Sequence, residues 1–331
     1  MNLETTYLGL QLRSPLVPSA AQPLTESLDQ IKRLEDAGAA AIVLHSLFEE
    51  QLSLERHDLF ECLEQGTESY AEALSYFPVP AEFHVGPELY LKKLARAKAA
   101  VRVPVIGSLN GATRGNWMDY ARRIEQAGAD ALELNIYWIP TDPSLTSLEI
   151  ENLYVEILQS VRQQIRIPIA VKLSPFFTNF ANVARRLEAA GAAGLVLFNR
   201  FYQPDLDLEA LEVTNQVLLS TPMDMRLPLR WTAILRDQLS LSLAASSGIH
   251  RASDALKMLM AGADVTMMCS ALLRHGERHL TAVEREMCDW LEQHGYESLA
   301  QLRGSMSQRS CPDPAAFERA QYVRAVSSYP R

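Results

Sequence analysis

One charged side chain interrupts an otherwise apolar segment of the sequence. Lys172 stands within "IAVKLS" (169–174), where a charge is costly unless it faces a polar cavity. It could stabilise negative charge on a ligand or, with a lowered pKa, form a Schiff base with a carbonyl substrate. The alternative is a lysine whose ammonium reaches water outside the fold. Lys172 is therefore the first candidate for catalysis.

Polar side chains also end other apolar segments. Asn135 ends "ALELN" (131–135), and His45 follows "AAIVL" (40–44). Amides hydrogen-bond planar rings, and a histidine that titrates near neutral pH suits acid or base work. Tyr137 is a further acid or base candidate, although a phenol with a pKa near 10 is a weak base. Tyr137 could instead pack beneath a loop, and His45 could have no catalytic role. Other polar residues stand at or just after the ends of apolar segments: Ser19, Ser46, Ser108, Asn110, Ser174, Asn199 and Arg200.

A repeated joint explains how these residues come to stand at strand ends. Four segments share a helix end, an Ala-Gly pair and an apolar run. A glycine there adopts the left-handed conformation that closes a helix, and the apolar run suits a strand covered on both faces. These segments are "RLEDAGAAAIVL" (33–44), "RIEQAGADALEL" (123–134), "RLEAAGAAGLVL" (186–197) and "KMLMAGADVTMM" (257–268).

A second joint alternates with the first. In "VRVPVIGSLN" (101–110) and "IRIPIAVKLS" (165–174), Pro104 and Pro168 end a helix and open a strand. With the apolar runs at 15–19 and 239–245, the six joints predict eight strands that alternate with helices. This favours parallel pairing and a closed (β/α)8 TIM barrel over a doubly wound sheet. The predicted strands are 15–19, 41–45, 104–109, 131–135, 168–173, 194–198, 239–245 and 264–268. The predicted helices are 24–37, 87–99, 116–127, 147–163, 179–190 and 251–261.

Two segments interrupt this alternation. Residues 48–86 follow strand 2 and residues 199–231 follow strand 6, so both insertions leave the face that carries active sites in this fold. They could form a lid or substrate wall, or an oligomer contact. Residues 277–304 read as helix on the outside of the barrel. We therefore expect a single domain over 1–304 and a C-terminal tail over 305–331.

Composition narrows the class of ligand. The chain has 331 residues, 48% of them hydrophobic, and a net charge of -9 without a Lys/Arg block, so a small-molecule ligand is favoured over nucleic acid. Its four cysteines include no C-x-x-C pair, which argues against a metal site and a disulfide framework. Neither a signal peptide nor a membrane span is expected. These features predict a cytoplasmic protein.

Two short segments predict a phosphate site. Ser246, Ser247 and Gly248 follow strand 7 and precede a helix, while Cys269 and Ser270 open another helix after strand 8. Free N–H groups and helix dipoles converge after strands 7 and 8 of this barrel. The alternative is an ordinary glycine turn and a serine N-cap. The pair of segments indicates a phosphate-bearing ligand.

The strand ends "ALELN", "AVKLS", "SSGI" and "CSAL", in this order, resemble the dihydroorotate dehydrogenase family of FMN barrels. Within this group the resemblance points to the soluble class 1 branch and to the flavin domain of dihydropyrimidine dehydrogenase. The resemblance runs from "YLGLQLRSPLVPSA" (7–20) to about residue 307. It implies an FMN across the barrel mouth. The implied cofactor contacts are Ala20, Ser46, Asn135, Lys172, Asn199, Ser247, Gly248, Cys269 and Ser270.

The resemblance also implies an activity. A dihydropyrimidine-like ring, nominally dihydroorotate, would pass hydride to flavin N5 in pyrimidine biosynthesis, and Lys172 would stabilise the anionic reduced flavin. Asn110, Asn135 and Asn199 would contact the substrate. Soluble family members suggest a homodimer.

The sequence departs from the family where a base is expected. The family follows its Leu-Asn with a loop that supplies a cysteine or serine base, but here Ile136, Tyr137 and Trp138 follow. His45 stands where the family has a lysine after strand 2. Lys172, His45 and Tyr137 are thus the catalytic candidates. Two other functions stay open: a Schiff-base aldolase or lyase that uses Lys172 on a phosphorylated sugar, and a flavin-binding protein without turnover.

Overall fold

Eight parallel strands form the centre of the structure, a computed structural model that describes residues 1–51, 86–111, 115, 118–200, 203–214, 217–318, 322 and 326–327. Each strand pairs with its neighbour in the order 1-8-7-6-5-4-3-2. Ala40 N, just before the second strand, donates to Leu16 O of the first at 2.9 Å, which brings the two ends of the sheet together. The barrel strands are β1 Leu16–Pro18, β2 Ile42–Val43, β3 Val105–Gly111, β4 Ala131–Ile136, β5 Ile169–Leu173, β6 Gly194–Leu197, β7 Ser242–Ser246 and β8 Val265–Met268.

Helices surround this ring, so the predicted (β/α)8 barrel is confirmed. A doubly wound sheet would place its first strand in the middle of the sheet, whereas here the strands follow in chain order. The helices between strands are Gln22–Thr25, Leu28–Asp36, Pro87–Ala100, Asp119–Gln126, Ser147–Arg162, Phe180–Ala189, Arg226–Leu235 and Ala252–Ala261. After β8 come Ser270–His275, His279–Gln293 and Leu299–Leu302.

Side chains of the strands divide between two apolar layers. Val43, Ile106 and Val196 point into the barrel, where the N-terminal hairpin Thr5–Tyr7 and Leu10–Leu12 adds Tyr7 from below. Residues in the alternate positions, such as Leu132 and Leu134, pack outward against the helices. Because β4 is buried along its whole length, its inward side chains reach the site without contact with bulk water.

Three glutamates explain why the two joints alternate in the sequence. Glu35 Oε1 accepts hydrogen bonds from the backbone of residues 102 and 103, immediately before β3. Glu125 does the same for residues 166 and 167 before β5, and Glu188 for residues 240 and 241 before β7. Each glutamate stands three residues before the glycine of an Ala-Gly joint. In two of the three cases an Ala-Gly joint therefore supplies the acceptor that holds a proline joint, and in the third it holds the start of β7.

Local signals correct the predicted elements at two places. The helix predicted over 24–37 breaks at Ser27, which caps a second helix through a capping box with Gln30. A helix that the sequence analysis missed, Arg226–Leu235, begins inside the predicted 199–231 insertion. Pro228 lies in its first turn, where proline is tolerated.

The insertions are described in part. Most of the 48–86 segment lies outside the described residues. After β6, an exposed hairpin pairs Asp205–Asp207 with Glu212–Thr214. Met306 N donates to Met260 O at 2.9 Å, so the start of the C-terminal segment attaches to the barrel. The domain limits stay a prediction. No helix among the described residues is long and apolar enough to cross a membrane.

Candidate active site

Two adjoining cavities open at the carboxyl ends of the barrel strands. The first, of about 510 Å³, and the second, of about 480 Å³, share Ala20, Lys172, Asn199 and Arg200 in their walls. The first is also lined by His45, Ser46, Asn110, Asn135 and Tyr137. The second is also lined by Ser247, Gly248, Cys269 and Ser270. The structure thus brings all the predicted site residues to one rim, while their roles stay predictions.

Lys172 lies where the two cavities meet. Its side chain points into the barrel and is only 6% exposed, and Nζ donates to Glu133 Oε1 at 3.2 Å. Glu133 is itself 1% exposed. The lysine therefore does not extend to the outside of the fold, and its charge is balanced by a buried carboxylate. Such an ammonium can stabilise negative charge on a ligand at the rim.

Asparagines continue the rim on both sides of Lys172. Asn135 pairs in register with Asn110 on one side and with Lys172 on the other. Asn199 Nδ2 donates to Asn135 Oδ1 at 2.9 Å, and Asn199 N donates to Leu173 O. This bond orients both amides, which leaves the Asn135 N–H₂ group as a donor for a ring.

His45 is held firmly in the wall of the first cavity. Its backbone N–H donates to Thr25 Oγ1 at 3.0 Å, its Nδ1 lies 3.1 Å from the same oxygen, and its ring meets Tyr90 edge-on. Burial, followed by the charge of Lys93, lowers the pKa of His45 to about 4. The imidazole is thus neutral at pH 7, and it does not titrate near neutral pH as the sequence analysis expected.

This shift makes stability depend on pH in a definite direction. The unfolded chain protonates His45 near its ordinary pKa of 6.5, before the folded chain does near 4, so stability falls as pH falls through this window. We expect a His45→Asn variant to lack this contribution, and the wild type to lose up to ~3 kcal/mol relative to it. Urea unfolding of both proteins at pH 7 and near pH 4 measures the difference. Equal pH dependence in the two proteins would contradict the assignment.

The bulky residues after Asn135 have different positions. Ile136 ends β4 and is buried, whereas Tyr137 is half-buried and lines the first cavity. The Tyr137 side chain therefore belongs to the wall of the first cavity, and its role stays a prediction. Trp138 is half-buried and is not part of either cavity wall.

The far end of the second cavity is built from backbone and hydroxyl groups. Gly248 has a φ of +74°, and a Cβ there would lie 2.3 Å from Met225 N, so only glycine allows this approach. Ser220 N donates to Ser270 Oγ at 2.9 Å, and Gly248 N points at Ser220 Oγ at 3.4 Å. This arrangement fits the predicted phosphate site.

The charges of the lining residues favour an anionic ligand. Lys172 and Arg200 line both cavities, and no Asp or Glu is among the described residues of either wall. Burial raises the pKa of the Cys269 thiol against the opposing charges of Lys172 and Arg200. Cys269 therefore stays a neutral thiol and contributes a lining surface.

Two residues of the site were missed by the sequence analysis. Glu133 could have been found by the reasoning used for Lys172, because it is a charge inside the apolar run "ALELN". Ser220 gave no such signal. It lies between the exposed hairpin and the helix that begins at Arg226, and only the folded chain brings it to Ser270.

Known proteins are similar in sequence to this chain over most of its length. The dihydroorotate dehydrogenase family matches residues 84–291. The catalytic subunit of dihydroorotate dehydrogenase B (NAD(+)) from Thermoplasma volcanium is 24% identical over 92% of this chain and 98% of its own length. The corresponding subunit from Halalkalibacterium halodurans is 26% identical over 66% of this chain and 72% of its own. Dihydroorotate dehydrogenase A (fumarate) from Lactobacillus helveticus is 24% identical, with coverages of 62% and 68%. The chain belongs to the dihydroorotate dehydrogenase family.

Proposed function

We propose that this protein is an FMN-dependent oxidoreductase that acts on a dihydropyrimidine-like ring, with dihydroorotate as the nominal substrate. The observation that carries the proposal is that two cavities meet at Lys172 and Asn199. The second cavity suits the phosphate of FMN, and the first leaves room for a substrate ring beside the flavin ring. Membership of the dihydroorotate dehydrogenase family supports it.

The residues present fit FMN. Ser220 and Ser270 offer hydroxyl groups for a phosphate beside the close backbone approach at Gly248, and Arg200 adds a positive charge in the walls of both cavities. The amide of Asn135 and the ammonium of Lys172 are suited to the polar edge of an isoalloxazine ring. Bound there, FMN would supply a hydride acceptor. Lys172 would then stabilise the negative charge that reduction creates.

The substrate would occupy the first cavity. Asn110, Asn135 and Asn199 present amides that can hydrogen-bond the carbonyl and N–H groups of a pyrimidine ring. His45, neutral at pH 7, and Tyr137 face the same space, and we assign the acid and base work to these two side chains. The family's cysteine or serine has no counterpart among the residues that directly follow Asn135.

The proposal is tested by purifying the protein and measuring its flavin. We expect it to carry FMN, and the flavin absorbance to bleach when dihydroorotate is added under anaerobic conditions. A flavin that binds but stays oxidised with dihydroorotate and related dihydropyrimidines would favour a flavin-binding protein without turnover. A protein that takes up no FMN would refute the proposal.

A Schiff-base lyase is less well supported. Lys172 Nζ donates to the buried carboxylate of Glu133, and a side chain held in this ion pair is not free to attack a carbonyl group. Borohydride in the presence of small carbonyl compounds and phosphorylated sugars is expected to leave Lys172 unlabelled. Covalent reduction onto Lys172 would favour the lyase instead.

The oligomeric state and the electron acceptor are separate questions. Two of the relatives above are named as catalytic subunits that use NAD(+), and the third is named for fumarate, so the family does not fix an acceptor. We propose a homodimer, which light scattering of the purified protein would test. The predicted cytoplasmic location is tested by fractionation of cells that express the protein.

A further inference from the structure

A second buried charge lies directly below the rim. Glu133 is on β4, two residues before Asn135, and its side chain points into the barrel beside Lys172. It is 1% exposed, and its contact with the lysine joins neighbouring strands of the sheet. An ammonium on a flexible stem gains a fixed position from such a partner.

Only one of the two carboxylate oxygens of Glu133 accepts a hydrogen bond from a described residue. Oε1 accepts from Lys172, whereas Oε2 is buried and has no hydrogen-bond partner among the residues that the structure describes. A buried carboxylate oxygen that no donor satisfies keeps its negative charge unscreened. Its field therefore acts on Lys172 and on whatever ligand the lysine faces.

We propose that Glu133 is a positioning residue that fixes the Lys172 ammonium at the rim and attenuates its positive field on the cofactor. The inference rests on the proposed function, because the cofactor is taken to be FMN. A lysine alone would favour the reduced, anionic flavin strongly, and the carboxylate below it offsets part of that effect. The pair thus sets how readily the cofactor accepts electrons.

The charge and the contact can be separated by two substitutions. Glu133→Gln keeps an oxygen acceptor for Lys172 and removes the negative charge. Glu133→Asp keeps the charge and withdraws it by one methylene. A residue that only fills space would give similar changes in both variants.

Sulfite is the probe, because it adds reversibly to an oxidised flavin and forms an anion, so its affinity reports the positive field at the ring. We expect Glu133→Gln to bind sulfite ~10-fold more tightly than the wild type. The substitution removes the carboxylate that repels the anionic adduct, and this repulsion is stronger inside a protein than in water. For a two-electron couple, tenfold corresponds to a reduction potential about 30 mV higher. Glu133→Asp should bind sulfite with nearly wild-type affinity, and FMN more weakly.

Thr232→Val is the matched control. Thr232 Oγ1 is another buried polar atom without a hydrogen-bond partner among the described residues, but it lies on the helix Arg226–Leu235 and lines neither cavity. Its loss should leave sulfite affinity unchanged. The thermal unfolding of every variant, with and without FMN, shows whether each is folded.

Three outcomes are decisive. Tighter sulfite binding in Glu133→Gln alone supports the proposal. Unchanged or weaker binding in a folded, FMN-loaded Glu133→Gln protein refutes it and leaves the proposed function intact. A wild-type protein that takes up no FMN refutes both.

Discussion

Lys172→Met is expected to slow the reduction of bound FMN by substrate by ~10²–10³-fold, the usual effect of removing one preorganised electrostatic group. Methionine preserves most of the volume but removes the charge at the junction of the two cavities. It also leaves Glu133 as a buried carboxylate without its partner, so the variant should unfold more easily. Anaerobic stopped-flow mixing of the FMN-loaded variant with dihydroorotate measures the rate directly.

Lys98→Met is the matched control for this variant. Lys98 also forms an ion pair, with Asp130 at 2.6 Å, but it lies outside both cavity walls. Its removal should cost some stability and leave the rate unchanged. Lys172→Arg, which keeps a positive charge, should retain more activity than Lys172→Met. Equal rates in Lys172→Met and wild type would show that Lys172 has no catalytic role.

Gly248→Ala is expected to weaken FMN binding by at least ~10²-fold and to lower the free energy of unfolding by ~3 kcal/mol. The added methyl group would lie 2.3 Å from Met225 N, so the 217–225 segment must move away from Gly248. Ser220 would move with it and lose its bond to Ser270. Fluorescence titration with FMN and urea unfolding measure the two effects.

Gly295→Ala separates backbone strain from the clash. Gly295 has the same φ of +74°, but a Cβ there meets nothing within 4 Å, and the residue is remote from both cavities. This variant should lose ~1 kcal/mol of stability through strain alone and bind FMN normally. If both variants bind FMN equally well, the second cavity does not hold the phosphate.

The fold could be predicted because its signals are local and repeated. Each Ala-Gly joint places a glycine with positive φ at a helix end, as at Gly128 with a φ of +96°, and an apolar strand follows. Four of these joints alternate with the proline joints in a pattern of eight strands separated by helices, and eight such strands imply a ring. Once the ring is accepted, Lys172 and Asn135 must share a rim because the carboxyl ends of parallel strands meet there. Membership of the dihydroorotate dehydrogenase family confirms the enzyme class that the resemblance implied.

The break at Ser27 was missed although its cause is local: Ser27 and Gln30 form a capping box inside a longer helical pattern. The other misses depend on contacts between distant residues. The hydrogen bond from Ser220 to Ser270 joins residues 50 positions apart in the sequence, and no periodic pattern predicts such a contact. The low pKa of His45 follows from burial behind Tyr90 and from Lys93, neither of which is adjacent to it in sequence.

The acceptors at Glu35, Glu125 and Glu188 have a consequence for how this barrel can change. Each ties a helix to the segment that opens the strand after next, at the end of the barrel away from the ligand. These carboxylates stabilise the amino-terminal end of the barrel and take no part in chemistry. Loops at the carboxyl end can therefore lengthen or exchange residues without loss of these contacts, so relatives can acquire new substrates on the same scaffold.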